Sequence, residues 1–321
     1  MIQTYWAIAQ LRQRWPDLEV AIEQIHTTGD RVTDVPLTRI GGDGVFVTEI
    51  ERALVERRID LAVHSLKDLP TAQPDGLYVI VAGPREDVRD VLVSTTPFRI
   101  ADGRLIAEAC AGQPERRPLR LGTCSLRRTA QLRWLCPEAA IVPLRGNVDT
   151  RLRKLDAGEY DGILLAAAGL HRLDLQGRLA GRLIYFPADL LLPAPGQGAL
   201  GLEIRDEPEL HELLAPLHDV VAQATTSAER MFMRRLGAGC YLPVAAYAEI
   251  IAGTLSVSGL VISLDGLRRI HVQKHMQWTE ETSVEQAEQL GVRLAEEALD
   301  QGADAIIAEV NGSREQERQR V

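Results

Sequence analysis

Cys240 lies in the segment GAGCYLP, residues 237–243, and is the residue of this chain best suited to covalent chemistry. Gly237 and Gly239, which precede it, allow the backbone to turn tightly and a bound group to approach the main chain closely. A thiol in such a setting is accessible, and an accessible thiolate is a good nucleophile. The alternative is a structural cysteine, since free cysteine is among the most buried residue types. Cys240 is therefore a candidate attachment point whose role depends on the rest of the chain.

A second candidate is the segment HSLKDLP, residues 64–70, which directly follows a predicted buried strand. In open α/β sheets, ligands bind beyond the carboxyl ends of the strands. A carboxylate there, Asp68, is suited to stabilise a cationic intermediate or to transfer a proton. A surface turn that carries Lys67 and Asp68 is the alternative interpretation.

Two further segments are suited to bind anions, GTCSLRR at residues 122–128 and LRGNVDTR at residues 144–151. Each follows a predicted strand and leads into a helix, whose first backbone N–H groups are available to an anion. Arginine adds paired hydrogen bonds to carboxylates. Residues 120–154 contain eight basic and two acidic residues, although the whole chain carries a net charge of −9. Two such loops on neighbouring strands predict a cleft for a polyanion, with a solvated basic face as the alternative.

The elements that must position these loops follow from hydrophobic periodicity. Strands alternate with helices up to about residue 204, which predicts parallel sheets with helices on both faces. The strands are predicted at residues 18–25, 59–63, 77–82, 91–94, 119–122, 140–144, 161–166 and 199–204. The helices are predicted around residues 8–15, at 48–58, 126–135 and 150–155, and around residues 226–236. Residues 97–118 are predicted to be a crossover, and residues 193–198 a hinge.

The pattern changes after that point. Adjacent strands are predicted at 244–251, 254–264 and 267–273, with a hairpin turn at Asp265-Gly266. A helix at 284–299, a strand at 303–310 and a disordered tail from Ser313 complete the prediction. The domains are predicted to be 1–95 with 197–218, then 98–193, then 221–321. The fold class is thus two α/β domains followed by a small α+β domain that contains a three-stranded antiparallel sheet.

Composition limits the function classes. A chain of 321 residues with 45% hydrophobic and 25% charged residues is typical of globular proteins. Its apolar runs stay well short of the roughly 20 residues that span a bilayer, so no membrane association is expected. The net negative charge argues against nucleic acid as a partner. The four cysteines form no Cys-x-x-Cys pair and the first residues lack a basic signal region, so we expect no metal site and a cytoplasmic location.

Four segments together resemble the porphobilinogen deaminase family, also called hydroxymethylbilane synthases. They are VHSLKDLP at 63–70, GTCSLRR at 122–128, LRGNVDTR at 144–151 and GCYLP at 239–243, in the family's order. The resemblance implies a transferase that joins four porphobilinogen molecules into the linear tetrapyrrole hydroxymethylbilane and releases ammonia each time. It also implies two α/β domains like those of periplasmic binding proteins, a monomer, and a dipyrromethane cofactor built from the enzyme's own substrate. That cofactor is implied to be carried on Cys240 through a thioether.

The same resemblance implies roles for the other candidates. Asp68 matches the family's catalytic aspartate, which assists loss of the amino group and stabilises the azafulvenium cation, and Lys67 lies beside it. The cofactor contacts implied, besides Cys240, are Ser65, Lys67, Asp68, Thr123, Ser125, Arg127, Arg128, Arg145 and Gly146. The substrate contacts implied are Arg145, Arg151, Phe46 and Gln197. The arginines would bind the acetate and propionate groups of the pyrroles.

The sequence departs from the family pattern in two main places. Met1 falls within the first helix, where family members have a preceding strand that carries an arginine and a serine. Without that strand we expect lower stability and weaker cofactor binding. Asp43 stands where the family commonly has lysine, which removes a positive charge from the active-site loop. Two alternatives to the active transferase are therefore an N-terminally truncated inactive homologue and a two-lobed solute-binding module that takes anions.

Overall fold

The computed structural model describes residues 1–25, 47–108, 117–239, 241–279 and 281–319. Its α-helices are α1 (Ile2–Arg14), α2 (Thr48–Val55), α3 (Leu126–Leu135), α4 (Val148–Asp156), α5 (Ala167–Arg172), α6 (Pro208–Leu214), α7 (Val220–Arg235), α8 (Val284–Asp300) and α9 (Ala303–Gln319). Its strands are β1 (Leu61–Ser65), β2 (Leu77–Ala82), β3 (Asp90–Ser94), β4 (Phe98–Ala101), β5 (Arg104–Ala107), β6 (Arg120–Gly122), β7 (Ala140–Val142), β8 (Gly162–Ala166), β9 (Leu183–Tyr185), β10 (Leu200–Arg205), β11 (Val244–Ile251), β12 (Thr254–Ile262) and β13 (Arg269–Gln277). No helix in these described ranges has the length and apolar character that crossing a membrane would require.

The first sheet has the order β1-β10-β2 within the described residues, and both of its ladders are antiparallel. The prediction of purely parallel pairing is therefore wrong here, because β10 returns from the second domain and inserts between two strands that run the other way. Helix α1 covers one face and buries Ala7 and Leu11 against Leu202 and Ile204. These apolar residues recur four positions apart, which places them on one face of the helix.

The second sheet has the order β7-β6-β8-β3-β9 in the described chain. Strands β7, β6 and β8 pair in parallel, whereas β3 pairs antiparallel with both β8 and β9. Residues 98–107, within the segment 97–118 that is predicted to be a crossover, form the β4–β5 hairpin. The parallel part ends at the loops 123–125 and 143–147, so the two predicted anion-binding segments lie side by side.

The third sheet is the antiparallel meander β11-β12-β13, with Gly266 in a turn at φ +79°. Helices α7 and α8 pack against each other and against this sheet. Their backbones approach closely at Gly291, where an added Cβ would lie 2.1 Å from the Ala228 carbonyl oxygen. Two α/β sheets and this small α+β unit confirm the predicted fold class.

Two local predictions are wrong. Residues 18–25 alternate apolar and polar side chains but form no strand, and no described strand pairs with them. Alternation alone does not make a strand, because a ladder needs a partner. Residues 303–310 are helical within α9, and the helix extends past Ser313. The apolar residues Ala303, Ile306, Ile307 and Val310 are buried at helical spacing, which outweighs the strand propensity of the β-branched residues.

Candidate active site

Asp68 is presented by a single 3₁₀ turn, Leu66–Asp68, directly after β1. Leu66 and Leu69 flank it and are almost completely buried, whereas Asp68 itself is exposed. The Leu66 N–H donates to the Ala199 carbonyl at 3.0 Å, which ties the turn to the start of β10. Burial of the two leucines thus holds the backbone and leaves the carboxylate facing out.

Lys67 is half-buried beside Asp68, and its ammonium donates to Gln197 Oε1 at 3.3 Å. Removal from water lowers the pKa of this amine from 10.5 to about 8. The neighbouring carboxylates of Asp68 and Asp90 oppose that shift, and the guanidinium groups of Arg127 and Arg128 add to it. Lys67 is therefore a cation at neutral pH that loses its charge in mildly alkaline solution.

The loop before α3 contains Thr123, Cys124 and Ser125. Ser125 is the N-cap, and its hydroxyl accepts from the Arg128 N–H. Thr123 is buried, and its hydroxyl accepts from the Ser125 N–H at 3.1 Å. Cys124 between them is exposed. Both predicted hydroxyl contacts therefore also shape the loop itself.

Arg127 and Arg128 are buried and converge on one carboxylate, that of Asp90 at the start of β3. Arg127 Nη1 donates to Asp90 Oδ2 at 2.6 Å, and Arg128 donates to Oδ1 through Nη2 at 2.6 Å and Nε at 3.0 Å. Gln197 Nε2 donates to the same Oδ1 at 3.1 Å. Burial by itself would raise the pKa of Asp90, but the two guanidinium groups hold this pKa well below its usual range. We call Arg127, Arg128, Asp90 and Gln197 the inner cluster.

Arg145 and Gly146 lie in the neighbouring loop and Arg151 in the first turn of α4, and we call Arg145 and Arg151 the outer arginines. Asn147 caps α4 by accepting from the Thr150 N–H at 2.9 Å. Gly146 has φ +108°, and its carbonyl accepts from Arg151 Nε at 2.7 Å. Both outer arginines are partly exposed, and none of the described carboxylates forms a salt bridge with Arg151.

The pKa of the outer arginine Arg151 depends on charged groups of the other loops, including Asp68. Burial and the charge of Arg128 lower the pKa of Arg151, while Cys124 and Asp68 raise it. Arg151 of the second domain and Asp68 of the first therefore interact through their charges. Hydrogen bonds from Lys67 to Gln197 and from Gln197 to Asp90 join the Asp68 turn to the inner cluster.

Three predicted features lie outside the described residues: Cys240, Phe46 and the family departure at Asp43. The chain next to position 240 is described. Helix α7 ends at Arg235, Gly237 follows at φ +64°, and Ala238 and Leu242 are buried in the core of the third domain. Leu126 of α3 packs against that same core, so the third domain contacts the start of the helix that carries Arg127 and Arg128.

The structure also shows contacts that the sequence analysis did not identify. Gln3 Nε2 donates to Ser65 Oγ at 2.8 Å, and Arg172 Nη2 donates to the Gly198 carbonyl at 2.7 Å. Burial lowers the pKa of Arg172. Asp90 was missed as well, although an acidic residue at the head of the apolar segment DVLVS was a usable signal. Buried charges need a partner, so such a residue indicates a nearby cation.

The residues present fit a cofactor that carries several carboxylates. Arg151 is a partly desolvated cation without a described salt bridge, Arg145 precedes it in the loop before α4, and Lys67 lies near Arg127 and Arg128. Each acetate or propionate group requires a cationic donor, and guanidinium groups bind carboxylates in pairs of hydrogen bonds. Groups of His, Cys, Asp and Glu that could hold a metal ion are absent from the described residues.

Comparison with known proteins matches almost the whole chain to one family. Residues 1–212 match "Porphobilinogen deaminase, dipyromethane cofactor binding domain" and residues 223–300 match "Porphobilinogen deaminase, C-terminal domain". The chain is 48% identical over 307 residues to porphobilinogen deaminase of Syntrophotalea carbinolica, covering 95% of this chain and 91% of the relative. It is 45% identical over 303 residues to the Syntrophobacter fumaroxidans enzyme of that name, covering 94% and 91%.

Among solved structures, the periplasmic VFT2 domain of Bordetella pertussis BvgS matches 67% of this chain and 76% of its own, with 14% identity and a TM-score of 0.36. The family matches and the identity to curated relatives lead to one conclusion. The chain belongs to the porphobilinogen deaminase family.

Proposed function

We propose that this chain is a hydroxymethylbilane synthase, which joins four porphobilinogen molecules into a linear tetrapyrrole with release of ammonia. Family membership over nearly the whole chain supports the reaction. One observation supports a working site: Lys67, next to the exposed Asp68, donates to Gln197, and Gln197 donates to Asp90, which joins the Asp68 turn to the inner-cluster arginines. The reaction needs these two kinds of group, an anion for developing positive charge and cations for pyrrole carboxylates.

The matched domain is the family's dipyrromethane cofactor-binding domain, and Cys240 is our proposed attachment point through a thioether. When bound, dipyrromethane supplies the pyrrole terminus to which new units are added. Lys67, the outer arginines and the inner-cluster arginines are proposed to bind its carboxylates, and Thr123, Ser125, Ser65 and Gly146 to provide neutral contacts. Gln197 supports this set indirectly, because it donates to Asp90 and accepts from Lys67.

Asp68 is proposed to stabilise the positive charge that develops when the amino group of porphobilinogen leaves. A fixed carboxylate does this well, because it is in place before the charge forms and needs no reorganisation. The buried leucines on both sides of Asp68 provide that fixed position. Asp68 is also suited to pass a proton between the substrate nitrogen and the departing amine.

The outer arginines are proposed to bind the acetate and propionate groups of incoming substrate, together with Phe46. Arg151 is partly exposed and lacks a described salt-bridge partner, so a substrate carboxylate can pair with it without displacing a protein carboxylate. The inner-cluster arginines differ, because Asp90 already occupies part of each guanidinium.

The first test is the intact mass of the purified protein under denaturing conditions. A species heavier than the 35.4 kDa polypeptide by one dipyrromethane is expected, with a colour reaction in acidic aldehyde reagent. Cys240→Ser should abolish both signals and Asp68→Asn should retain them while turnover collapses. A covalent cofactor on Cys240→Ser would overturn the attachment point, and near-normal turnover by Asp68→Asn would remove Asp68 from catalysis.

The same measurements separate the alternatives. An inactive homologue would give the bare polypeptide mass and no ammonia from porphobilinogen. A solute-binding module would bind an anion reversibly and give no covalent adduct. We also propose a cytoplasmic monomer, which light scattering and cell fractionation would test. A particle of twice the chain mass would contradict the monomer.

A further inference from the structure

Arg230 on α7 of the third domain reaches across to the turn that presents Asp68. Its Nη1 donates to the Leu66 and Leu69 carbonyls at 3.3 and 3.1 Å, and its Nη2 donates to the Pro70 carbonyl at 2.6 Å. One guanidinium thus binds three carbonyls of the five-residue segment 66–70. Arginine side chains commonly bind the carbonyls at the end of a helical turn, which otherwise lack partners within the turn.

Besides Arg230, one other described side chain binds the C-terminal side of the turn: Gln73 Nε2 donates to the Pro70 carbonyl at 3.1 Å. Within 66–70, the backbone forms one turn hydrogen bond, from the Leu69 N–H to the Leu66 carbonyl at 3.2 Å. The side chains of Leu66 and Leu69 pack into one cluster with Ala222, which also lies on α7. Helix α7 therefore contacts the turn through both an apolar surface and a cation. The backbone of this turn sets the position from which the exposed carboxylate of Asp68 projects.

The neighbouring residue Glu229 has a different role, although it lies on the same helix. Its carboxylate is completely buried and accepts from both terminal nitrogens of Arg85, at 2.8 and 2.9 Å. It also accepts from the Gly196 and Ala248 N–H groups, both at 2.7 Å. Glu229 therefore joins the third domain to the two segments that connect the α/β domains. Arg230 alone of this pair binds the Asp68 turn.

We propose that Arg230 is a positioning residue, through which the third domain sets the place of the Asp68 carboxylate. Helix α7, which carries Arg230, ends five residues before the proposed attachment point Cys240 in the sequence, so the domain that contains this cysteine also holds the turn of the proposed catalytic carboxylate. The inference rests on the proposed function of those two residues. Arg230 acts through the backbone of 66–70 and does not itself touch the reacting atoms.

The test compares Arg230→Gln with Arg234→Gln in the holoenzyme. Arg234→Gln removes the same charge one helical turn later. Arg234 is exposed and, like Arg230, lines a cavity of about 420 Å³ beside Leu66. For Arg230→Gln we expect kcat to fall about 10- to 100-fold, because small misplacements of a reacting group are costly. KM and covalent cofactor content should stay within about twofold, since the pyrrole-binding arginines are untouched. Arg234→Gln should resemble wild type in all three.

Hydrogen exchange of the peptide that contains residues 66–70 provides a readout besides activity. Exchange should speed up about tenfold or more in Arg230→Gln and not in Arg234→Gln, because opening of the turn becomes easier without its clamp. Arg230→Lys keeps the charge, but its single ammonium nitrogen cannot replace the two guanidinium nitrogens with which Arg230 binds three separate carbonyls. It should fold and show an intermediate kcat, which keeps the proposal testable if Arg230→Gln does not fold.

The outcomes are distinguishable. A folded Arg230→Gln or Arg230→Lys variant with wild-type kcat overturns the positioning role. Equal loss of kcat and cofactor content also overturns it, since that pattern indicates a general structural role. A wild-type holoenzyme that makes no tetrapyrrole overturns the proposed function instead, whatever the exchange experiment shows about the turn.

Discussion

The inner and outer arginines come from two neighbouring strand–loop–helix units of the same sheet. Arg127 and Arg128 pair with a carboxylate of the protein, whereas Arg151 forms no salt bridge with a described carboxylate. Arg127 and Arg128 are buried against Asp90, with hydrogen bonds as short as 2.6 Å. Arg151 occupies the equivalent first turn of the next helix and binds only the backbone carbonyl of Gly146 among the described residues. The same residue type at similar positions therefore organises the domain in one loop and remains available to a ligand in the other.

The reason for the difference is the strand opposite each loop. β3 lies beside β8 and brings Asp90 under α3, whereas α4 starts beyond the edge strand β7, where no described carboxylate meets Arg151. A buried guanidinium is tolerated only with a partner, because the cost of desolvating an isolated charge is large. An open guanidinium keeps part of its hydration and can exchange water for a ligand carboxylate.

The largest effect is expected from Asp90→Asn. The change leaves two buried guanidinium groups without their carboxylate, so the free energy of unfolding should fall by about 3–5 kcal/mol. Chemical denaturation measures this loss. Asp149→Asn removes the same charge from an exposed site on α4 and should change stability by less than about 0.5 kcal/mol. Equal effects of the two changes would contradict the inner–outer distinction.

The free energy of unfolding in acid should depend on the ionisation of Asp90. Since its pKa in the folded protein lies below the ordinary 3.8, its contribution is complete above pH 3.8 and is lost as the pH falls through the folded value. The stability difference between wild type and Asp90→Asn should therefore narrow only below pH 3.8. Narrowing already between about pH 5 and pH 7 would point to a different titrating group.

Arg151→Gln should affect ligand binding and leave the fold intact. Loss of a hydrogen bond to a charged group costs about 1.5–3 kcal/mol, so the KM for porphobilinogen should rise about 10- to 100-fold. The free energy of unfolding should change by less than about 0.5 kcal/mol, because Arg151 supports no described salt bridge. Steady-state kinetics and denaturation on the same preparation check both values. A stability loss as large as that of Asp90→Asn would show that the outer loop is structural too.

The smallest effect concerns the charge of Lys67, which donates to Gln197 of the inner cluster. Amine labelling of the cofactor-free chain, followed by mass spectrometry, should show Lys67 becoming reactive with a midpoint near its lowered pKa of about 8. Arg128→Gln should raise the midpoint, because it removes a neighbouring cation. Asp68→Asn should lower it, because it removes the carboxylate that favours the ammonium form. A midpoint that responds to neither change would show that these charges do not act on Lys67.

Much of the fold followed from the pattern of the sequence. The helix at 126–135 and the strands at 77–82 and 244–251 have the predicted bounds, because their apolar periodicity and their end signals agree. Residues 18–25 and 303–310 were predicted wrongly. In the first case no described strand offers a ladder, and in the second a buried helical stripe outweighs local β-propensity.

The candidate site divides in a similar way. Residue types and spacing predicted Asp68 and the four arginines as site residues, because anion binding and cation stabilisation demand those side chains at strand ends. Nothing local indicated that Asp90 would pair with two of the arginines, or that Arg230 would reach the Asp68 turn from 160 or more residues away. Such partners are separated in sequence by tens to hundreds of residues, and only the packing of the sheets and helices brings them together.

The sequence by itself therefore determined the family and the class of chemistry and predicted the loops that carry it, since these depend on residue type and short-range spacing. Tertiary structure alone decided which arginines pair with a carboxylate, which lysine is desolvated and which domain holds the Asp68 turn. The physical reason is that burial and charge pairing depend on distances in space. A side chain's type sets what it can do, and its neighbours across the fold set its charge, its pKa and its freedom to bind.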